Sequence, residues 1–422
     1  EQCAGGAGGA TGAACPSPGP LPAPDGSLRW RGFPYKVSNK AFARTIYGGD
    51  YIRKAFEDRG FVGPVEGEDW DVLWTHRSQE ASLAELVLPM RPGRRLVNHC
   101  NYFRLAGDKC SLARHTAELA RAAAAGGGPA GPRRHFRSFE LGKARQLEEW
   151  QREVRAEPQR HWLLKPCLAG GSKGIQVLRG PAALEAAQSS VGGPPVVAQE
   201  YLEQPYLGFG GRKFHLRLYL VVTRWDPVAA YLFDGGLVFR SLHAYQGPGK
   251  EDIFSGVTDS VEVLSLDALW QHLDNLALAP RGEEDRSKAS VGLSAVAVRD
   301  RIVELFRELF GTRVRESFGN MEALQRARGF GCFDLFGADV ILDDALQPLL
   351  MEVNAGPNLW IGDHGREHMG LLAAIKGPLV RQVVHWAALH ARPQLTPEPA
   401  ADTQAEAEAN EAEALRSFTR VL

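Results

Sequence analysis

Nothing in the 422-residue chain approaches the roughly 18 consecutive apolar residues of a membrane-spanning helix. No basic-then-apolar stretch opens it as a secretory leader would, and it begins with Glu1 rather than Met, as a fragment or trimmed chain does. Net charge is also scarce, at -1, so overall electrostatics favour neither nucleic acid nor an acidic membrane, and any charge selectivity has to come from local patches. Cysteine is limited to six residues, at 3, 15, 100, 110, 167 and 332, without a Cys-x-x-Cys pair. That excludes a zinc ribbon and predicts free thiols in a reduced, cytoplasmic protein. Walker and Rossmann phosphate motifs are missing as well.

What remains is ordinary globular material, 44% hydrophobic and 23% charged, long enough for two or three domains. Residues 1–27 are Gly, Ala and Pro with little apolar bulk, and such a composition cannot offset the entropy of ordering. A small α/β domain is expected over 28–121, with a helix over 51–58, short strands over 71–74 and 96–99, and a helix over 108–119. Low-complexity Ala and Gly mark a linker over 122–132. The next unit, 133–202, carries a helix over 141–154 and strands over 161–166, 175–178 and 196–202. A third, 203–392, carries a hairpin over 229–240, a helix over 296–310 that ends at Gly311, and a helix over 370–389 bent at Pro378. Residues 393–422, rich in Pro, Ala and Glu, read as a mobile tail.

The most informative stretch is 336–359. Two apolar runs, 338–342 and 349–353, flank a turn-rich segment over 343–348, the pattern of a β-hairpin. Centring it between Ala345 and Leu346 sets Asp339 opposite Glu352, with Cβ atoms about 5 Å apart. Like charges so placed destabilise unless they are offered to a cation. Asn354 lies two residues beyond Glu352, on the same face, and three hard oxygen donors suit Mg²⁺.

Two further features suit a polyphosphate. Strand 161–166 carries Lys165 among aliphatic residues and leads into a glycine-rich turn containing Gly171, Lys173 and Gly174, where backbone amides and an ammonium can approach an anion closely. In the run 212–222, Lys213, His215 and Arg217 alternate with Phe214, Leu216 and Leu218, so three basic groups share one face. The two flanking cations would hold His215 neutral. His364 and His368, four apart, lack the adjacent Glu of a metalloprotease helix, and Gly365 weakens a helix there.

Taken in order and spacing, Trp162-Leu163-Leu164-Lys165-Pro166, residues 170–175, Gln199-Glu200-Tyr201-Leu202-Glu203-Gln204-Pro205, Arg212-Lys213-Phe214-His215-Leu216-Arg217, residues 236–240, Phe336-Gly337-Ala338-Asp339 and Met351-Glu352-Val353-Asn354 resemble the tubulin tyrosine ligase-like family of ATP-grasp ligases. The resemblance spans roughly 95–390, since Leu96-Val97-Asn98 and Asp108-Lys109 look like the end of that family's N-terminal domain. It implies an α/β, ATP-grasp fold with ATP held between a central and a C-terminal domain. It implies that Lys165, Gly171, Lys173, Gly174, Lys213, His215, Thr258 and Asp259 meet the nucleotide, and that Gln199, Glu200, Tyr201 and Leu202 line the adenine pocket. Arg217 and Arg240 would bind the transferred phosphoryl group or the incoming amino acid, and Asp339, Glu352 and Asn354 would hold Mg²⁺.

The family's chemistry phosphorylates a carboxylate of a protein tail, so that an amino-acid amine can attack the acyl phosphate. The implied partners are therefore the tubulin C-terminal tail and free tyrosine, glutamate or glycine, in the cytoplasm at the cytoskeleton or cilium. The lack of a basic microtubule-binding extension favours the tyrosine-adding branch. The chain departs from the family where Lys-x-Asp-x-Arg becomes Lys213-x-His215-x-Arg217 and where a Thr-Asn pair becomes Thr258-Asp259. Those departures keep open a catalytically inactive tubulin-binding member, and a ligase with another acceptor stands beside it.

Overall fold

The computed structural model describes residues 28–32, 50–65, 70–74, 95–100, 108–125, 134–170, 172–190, 192–225, 227–248, 261–278, 294–311, 330–361, 366–391 and 409–422. Its first unit is built from β1 (Leu28–Gly32), α1 (Asp50–Glu57), β2 (Phe61–Val62), β3 (Val72–Trp74) and β4 (Arg95–Val97). The helix α1 carries Ile52, Ala55 and Phe56 on one face, and Phe56 stacks on Trp30 with ring centroids 4.4 Å apart. Helix α2 (Lys109–Ala125) follows, so the expected linker is helical in its first residues, and the rest of it, 126–132, lies outside the described residues.

The second unit is an antiparallel four-stranded sheet of β5 (Ser138–Glu140), β6 (His161–Pro166), β7 (Gln176–Arg179) and β8 (Val196–Glu200), in the order β5-β8-β6-β7. Helices α3 (Ala144–Ala156) and α4 (Gly180–Ser189) cover it around the fully buried Trp150 and Trp162.

The third unit carries the longest strands, β9 (Phe214–Trp225) and β10 (Val228–Ser241). The expected hairpin over 229–240 is instead one continuous strand, paired along its length with β9 and irregular between Leu232 and Gly236. Asp234, Gly235 and Gly236 look like a turn in sequence, but they make a bulge. A Cβ at Gly236 would stand 2.9 Å from the Arg217 carbonyl oxygen, so only glycine permits that backbone approach. The sheet is completed by β11 (Val261–Ser265), then, after α5 (Leu266–Leu278) and α6 (Ala295–Gly311), by β13 (Asp334–Leu342) and β14 (Pro348–Asn354), in the order β11-β10-β9-β13-β14.

Alternation along β9 decides what lies on each face. Leu216, Leu218, Leu220 and Val222 bury against α5 and α6, while Tyr219 and Val221 bury on the side of helix α7 (Met369–Ala391). His215 and Arg217 continue that second face toward the start of the strand, opposite Phe239 and Leu237 of β10.

Three further arrangements differ from the sequence-based expectation. The strand β12 (Phe330–Cys332) leaves the third unit and pairs in parallel with β4, so the N-terminal sheet is completed from far downstream, in the order β12-β4-β3-β1-β2. Residues 409–414 are helical and β15 (Phe418–Arg420) pairs with β10, so the end of the expected mobile tail is packed, with Ala414, Leu415 and Val421 buried. Four cysteines are bridged rather than free: Cys100 to Cys332 and Cys110 to Cys167, with Cα atoms 5.2 and 5.3 Å apart. Parallel pairing of β4 with β12 brings the first two together, and packing of the α2 N-terminus against the end of β6 brings the second two together. Cys3 and Cys15 lie outside the described residues.

Candidate active site

The hairpin pairs in the expected register, with Asp339 on β13 opposite Glu352 on β14 and a bulge immediately after the pair. Asp339 accepts two hydrogen bonds from Arg217, at 2.6 and 3.0 Å, and the Asn354 amide nitrogen lies 3.4 Å from its Oδ2. Burial disfavours the Arg217 cation, but Asp339 outweighs it and holds the guanidinium above its ordinary range. Glu352 faces another cation, Lys109, whose Nζ stands 3.6 Å from Oε2. The two carboxylates are thus brought together and each is countered by a cation. An oxygen-only donor set of this kind fits a hard divalent ion that also takes phosphate oxygens and water.

Above the hairpin lies the sheet of β5 to β8. Lys165 is 7% exposed and donates to Gln199 Oε1 at 2.6 Å, across the β6–β8 pair. Burial pushes its ammonium down to about 8; Lys109 adds to the shift, while Glu352 and Asp339 oppose it. Lys109, Lys165 and Gln199 line one narrow cavity with Ser138 and Met351.

The glycine-rich turn after β6 holds Ser172 and Gly174 at positive φ, 57° and 72°. Lys173 on that turn is exposed, and Gly171 lies outside the described residues. Along the connector, Gln199 faces Lys165, whereas Glu200 turns to the other side and accepts from Arg137 at 3.2 Å. Tyr201 and Leu202, with Phe136 and Asp343, line an open cleft beside it. The buried Lys213 ammonium donates to the Tyr201 hydroxyl at 2.8 Å and sits 4.4 Å from the centre of that ring.

His215 is buried against the Phe239 ring, with centroids 5.3 Å apart. It is neutral as expected, but for a different leading reason. Burial is the largest cause of its fall to about 4, with Arg217 and Lys213 adding to it and Asp339 opposing. Arg240, expected to meet the co-substrate, donates to Glu262 Oε2 at 3.0 and 2.8 Å and to the Phe209 carbonyl at 3.2 Å. Arg212 shares the same Glu262 oxygen at 3.3 Å. Thr258 and Asp259 lie outside the described residues.

Residues 131–393 match the sequence pattern of the Tubulin-tyrosine ligase family. The chain belongs to this family. Among curated relatives, it is 28% identical over 245 residues to the mouse tubulin monoglutamylase TTLL4, covering 54% of this chain and 18% of that protein. It is 26% identical over 262 residues to the Caenorhabditis briggsae tubulin polyglutamylase ttll-4, covering 58% of this chain and 39% of that protein. Against the zebrafish (Danio rerio) tubulin polyglutamylase ttll6 it is 25% identical over 323 residues, covering 73% and 38%. The chain therefore spans less than two fifths of each of these relatives.

Among solved structures, the C-terminal domain of K. lactis Pby1, described as an ATP-grasp enzyme interacting with the mRNA decapping enzyme Dcp2, superposes with a TM-score of 0.54 at 19% identity, covering 93% of this chain and 99% of that one. The fold of this family member is thus α/β of the ATP-grasp type. Two residues of the site were not anticipated from sequence. Lys109 had a weak signal, as a lysine beside the aspartate that opens a helix, and Glu262 had none.

Proposed function

We propose that this tubulin-tyrosine ligase family member is an ATP-dependent carboxylate–amine ligase that adds an amino acid to a protein tail, with tubulin as acceptor. The observation that carries the reading is the Asp339–Glu352 pair set face to face beneath the buried Lys165. A metal-suited hairpin and a phosphate-suited lysine stand close enough for Glu352 and Asp339 to act on the Lys165 charge.

In this reading Asp339, Glu352 and Asn354 would hold magnesium, which would neutralise charge on the phosphates. Lys165, Lys173 and Lys213 bind ATP, with Gln199, Glu200, Tyr201 and Leu202 along the adenine side. An acceptor carboxylate oxygen attacks the terminal phosphorus and ADP leaves; the amine then attacks the acyl carbon and phosphate leaves. Arg217 stabilises the negative charge that builds up in both steps, and Arg240 receives the co-substrate carboxylate. Such transfers need alignment and charge neutralisation more than a covalent catalyst.

Glutamate is the co-substrate we favour over tyrosine or glycine, because the relatives quoted above are named as glutamylases. A cytoplasmic, cytoskeletal setting goes with that acceptor. The free-thiol argument for a reduced compartment no longer supports it, since four of the cysteines are bridged. A non-catalytic tubulin-binding role is the second reading, and one observation favours it: His215 is buried and neutral where the family carries an aspartate, so it offers at most one acceptor.

The deciding measurement is ATP-dependent incorporation of labelled amino acids into purified tubulin, one amino acid at a time. Glutamate incorporation that vanishes in Glu352→Gln, with the circular dichroism spectrum unchanged, is the expected result. Wild-type protein that binds tubulin but incorporates nothing would leave the non-catalytic reading standing.

A further inference from the structure

The chain leaves β14 after Asn354 as an irregular strap, residues 355–361, that runs back across the site-facing side of β13. A Cβ on Gly337 would stand 2.9 Å from Pro357 Cβ and 3.3 Å from Arg217 Cδ, so the strap lies against bare β13 backbone beside the arm that holds Asp339. Asn354 is the last paired residue of β14, opposite Gly337. Its amide nitrogen stands 3.4 Å from Asp339 Oδ2, longer than a good hydrogen bond of about 2.7–3.2 Å, so that contact holds it weakly. The strap therefore bears on two groups of the site at once, the amide at its root and the arginine beside it.

Buried irregular backbone needs partners for its carbonyls, and here two come from helices outside the cleft. The Tyr51 hydroxyl, on α1 of the N-terminal unit, donates to the Leu359 carbonyl, and the Lys376 ammonium, on α7, donates to the Trp360 carbonyl at 2.6 Å. The Leu359 side chain is buried with Ile52 and Phe56 of α1 and with Val380 and Val383 of α7. Tyr51 and Leu359 are 308 residues apart, so the far end of the strap is fixed by an element that the chain makes near its start. Burial holds the Tyr51 phenol far above its ordinary range, which keeps it a neutral donor.

We propose that Tyr51 is a positioning residue of this site: by holding the Leu359 carbonyl it keeps the strap against Gly337 and Arg217, and so sets where Asn354 stands beside Asp339. The N-terminal unit thereby acts on the metal-suited hairpin without touching it. The assignment rests on the magnesium reading of Asp339, Glu352 and Asn354 above and extends it to a residue of another unit.

The measurement is the magnesium dependence of nucleotide binding, read by calorimetric titration of the full chain with a non-hydrolysable ATP analogue over a series of magnesium concentrations. Tyr51→Phe keeps the ring and removes the donor. In this variant the magnesium concentration giving half of the full gain in affinity is expected to rise about fivefold, the equivalent of one hydrogen bond, while affinity without magnesium stays within about twofold of wild type. Lys376→Met, which frees the neighbouring carbonyl, is expected to move the midpoint the same way, and it carries the test if Tyr51→Phe does not fold. Phe61→Leu loosens the N-terminal core away from the strap, and is expected to lower the melting temperature with the magnesium midpoint unchanged. An unmoved midpoint in Tyr51→Phe overturns the assignment, and so does an equal shift in Phe61→Leu, which is what general loosening produces. Wild-type protein that binds the analogue no better with magnesium than without it overturns the magnesium reading itself, and this one with it.

Discussion

Arg217 shows how the site is held before any ligand arrives. Its side chain is 14% exposed and that of Asp339 is 13%, and the two are joined by paired hydrogen bonds. Removing one member of a buried pair leaves the other charged and uncompensated, so Arg217→Ala is expected to lower stability by about 3–5 kcal/mol, and Arg217→Ala with Asp339→Ala by less. Urea unfolding of the two variants checks this; a single variant no less stable than the double would contradict it. Lys165 gives a pH dependence with two opposite signs. Its ammonium falls from the usual 10.5 to about 8, so between these values the unfolded chain binds the proton that the folded one has lost. Its contribution to stability therefore rises with pH through that window. Phosphate binding needs the charged form and runs the other way. Triphosphate affinity measured without magnesium should weaken as pH rises through about 8, and Lys165→Arg should flatten that dependence, with calorimetry across pH 7 to 10 as the check.

Among the elements, the junction of β4 with β12 carries the clearest consequence. Cysteines 232 residues apart are joined at the far edge of the N-terminal sheet, so that sheet cannot separate from the third unit without carrying Cys332 with it. Bridges closing loops this long contribute about 2–4 kcal/mol in typical cases. Thiol titration of unreduced, denatured protein is expected to find at most two of the six cysteines reactive, Cys3 and Cys15, and four more after reduction. Six reactive thiols before reduction would restore the sequence-based expectation of free cysteines.

Across the whole molecule, the N-terminal sheet and the sheet of the third unit share their packing more than the division at 28–121 and 203–392 anticipates. Trp30, Phe56 and Trp74 of the N-terminal unit pack in one cluster with Tyr219 and Val221 of β9 and with Val380, Val384 and Trp386 of α7. The chain's last segment belongs to that cluster through Ala414 and Leu415, and Trp386 Nε1 donates to Glu411 at 3.0 Å. Deleting residues 409–422 would uncover these side chains and the β10 edge at Tyr231–Phe233. A lowered melting temperature for the truncated chain, together with new binding of a hydrophobic dye, is the expected outcome.

The sequence alone determined whatever depends on neighbours a few residues away. The hairpin register placing Asp339 against Glu352 follows from one turn and a two-residue period, and the division of alternate β9 residues between two faces follows from the same period. The helix over 295–311, with Val298, Ile302, Leu305, Phe306, Leu309 and Phe310 buried, follows from its 3.6-residue period. Only the tertiary structure decided which distant groups meet: Lys109 with Glu352, Arg240 with Glu262, Cys100 with Cys332, and β12 with the N-terminal sheet. Periodicity says which face a side chain takes. It carries no information about the partner on the opposite element, because that partner is set by how whole sheets pack, and at Asp234-Gly235-Gly236 the pairing of a long strand overrode what looked locally like a turn.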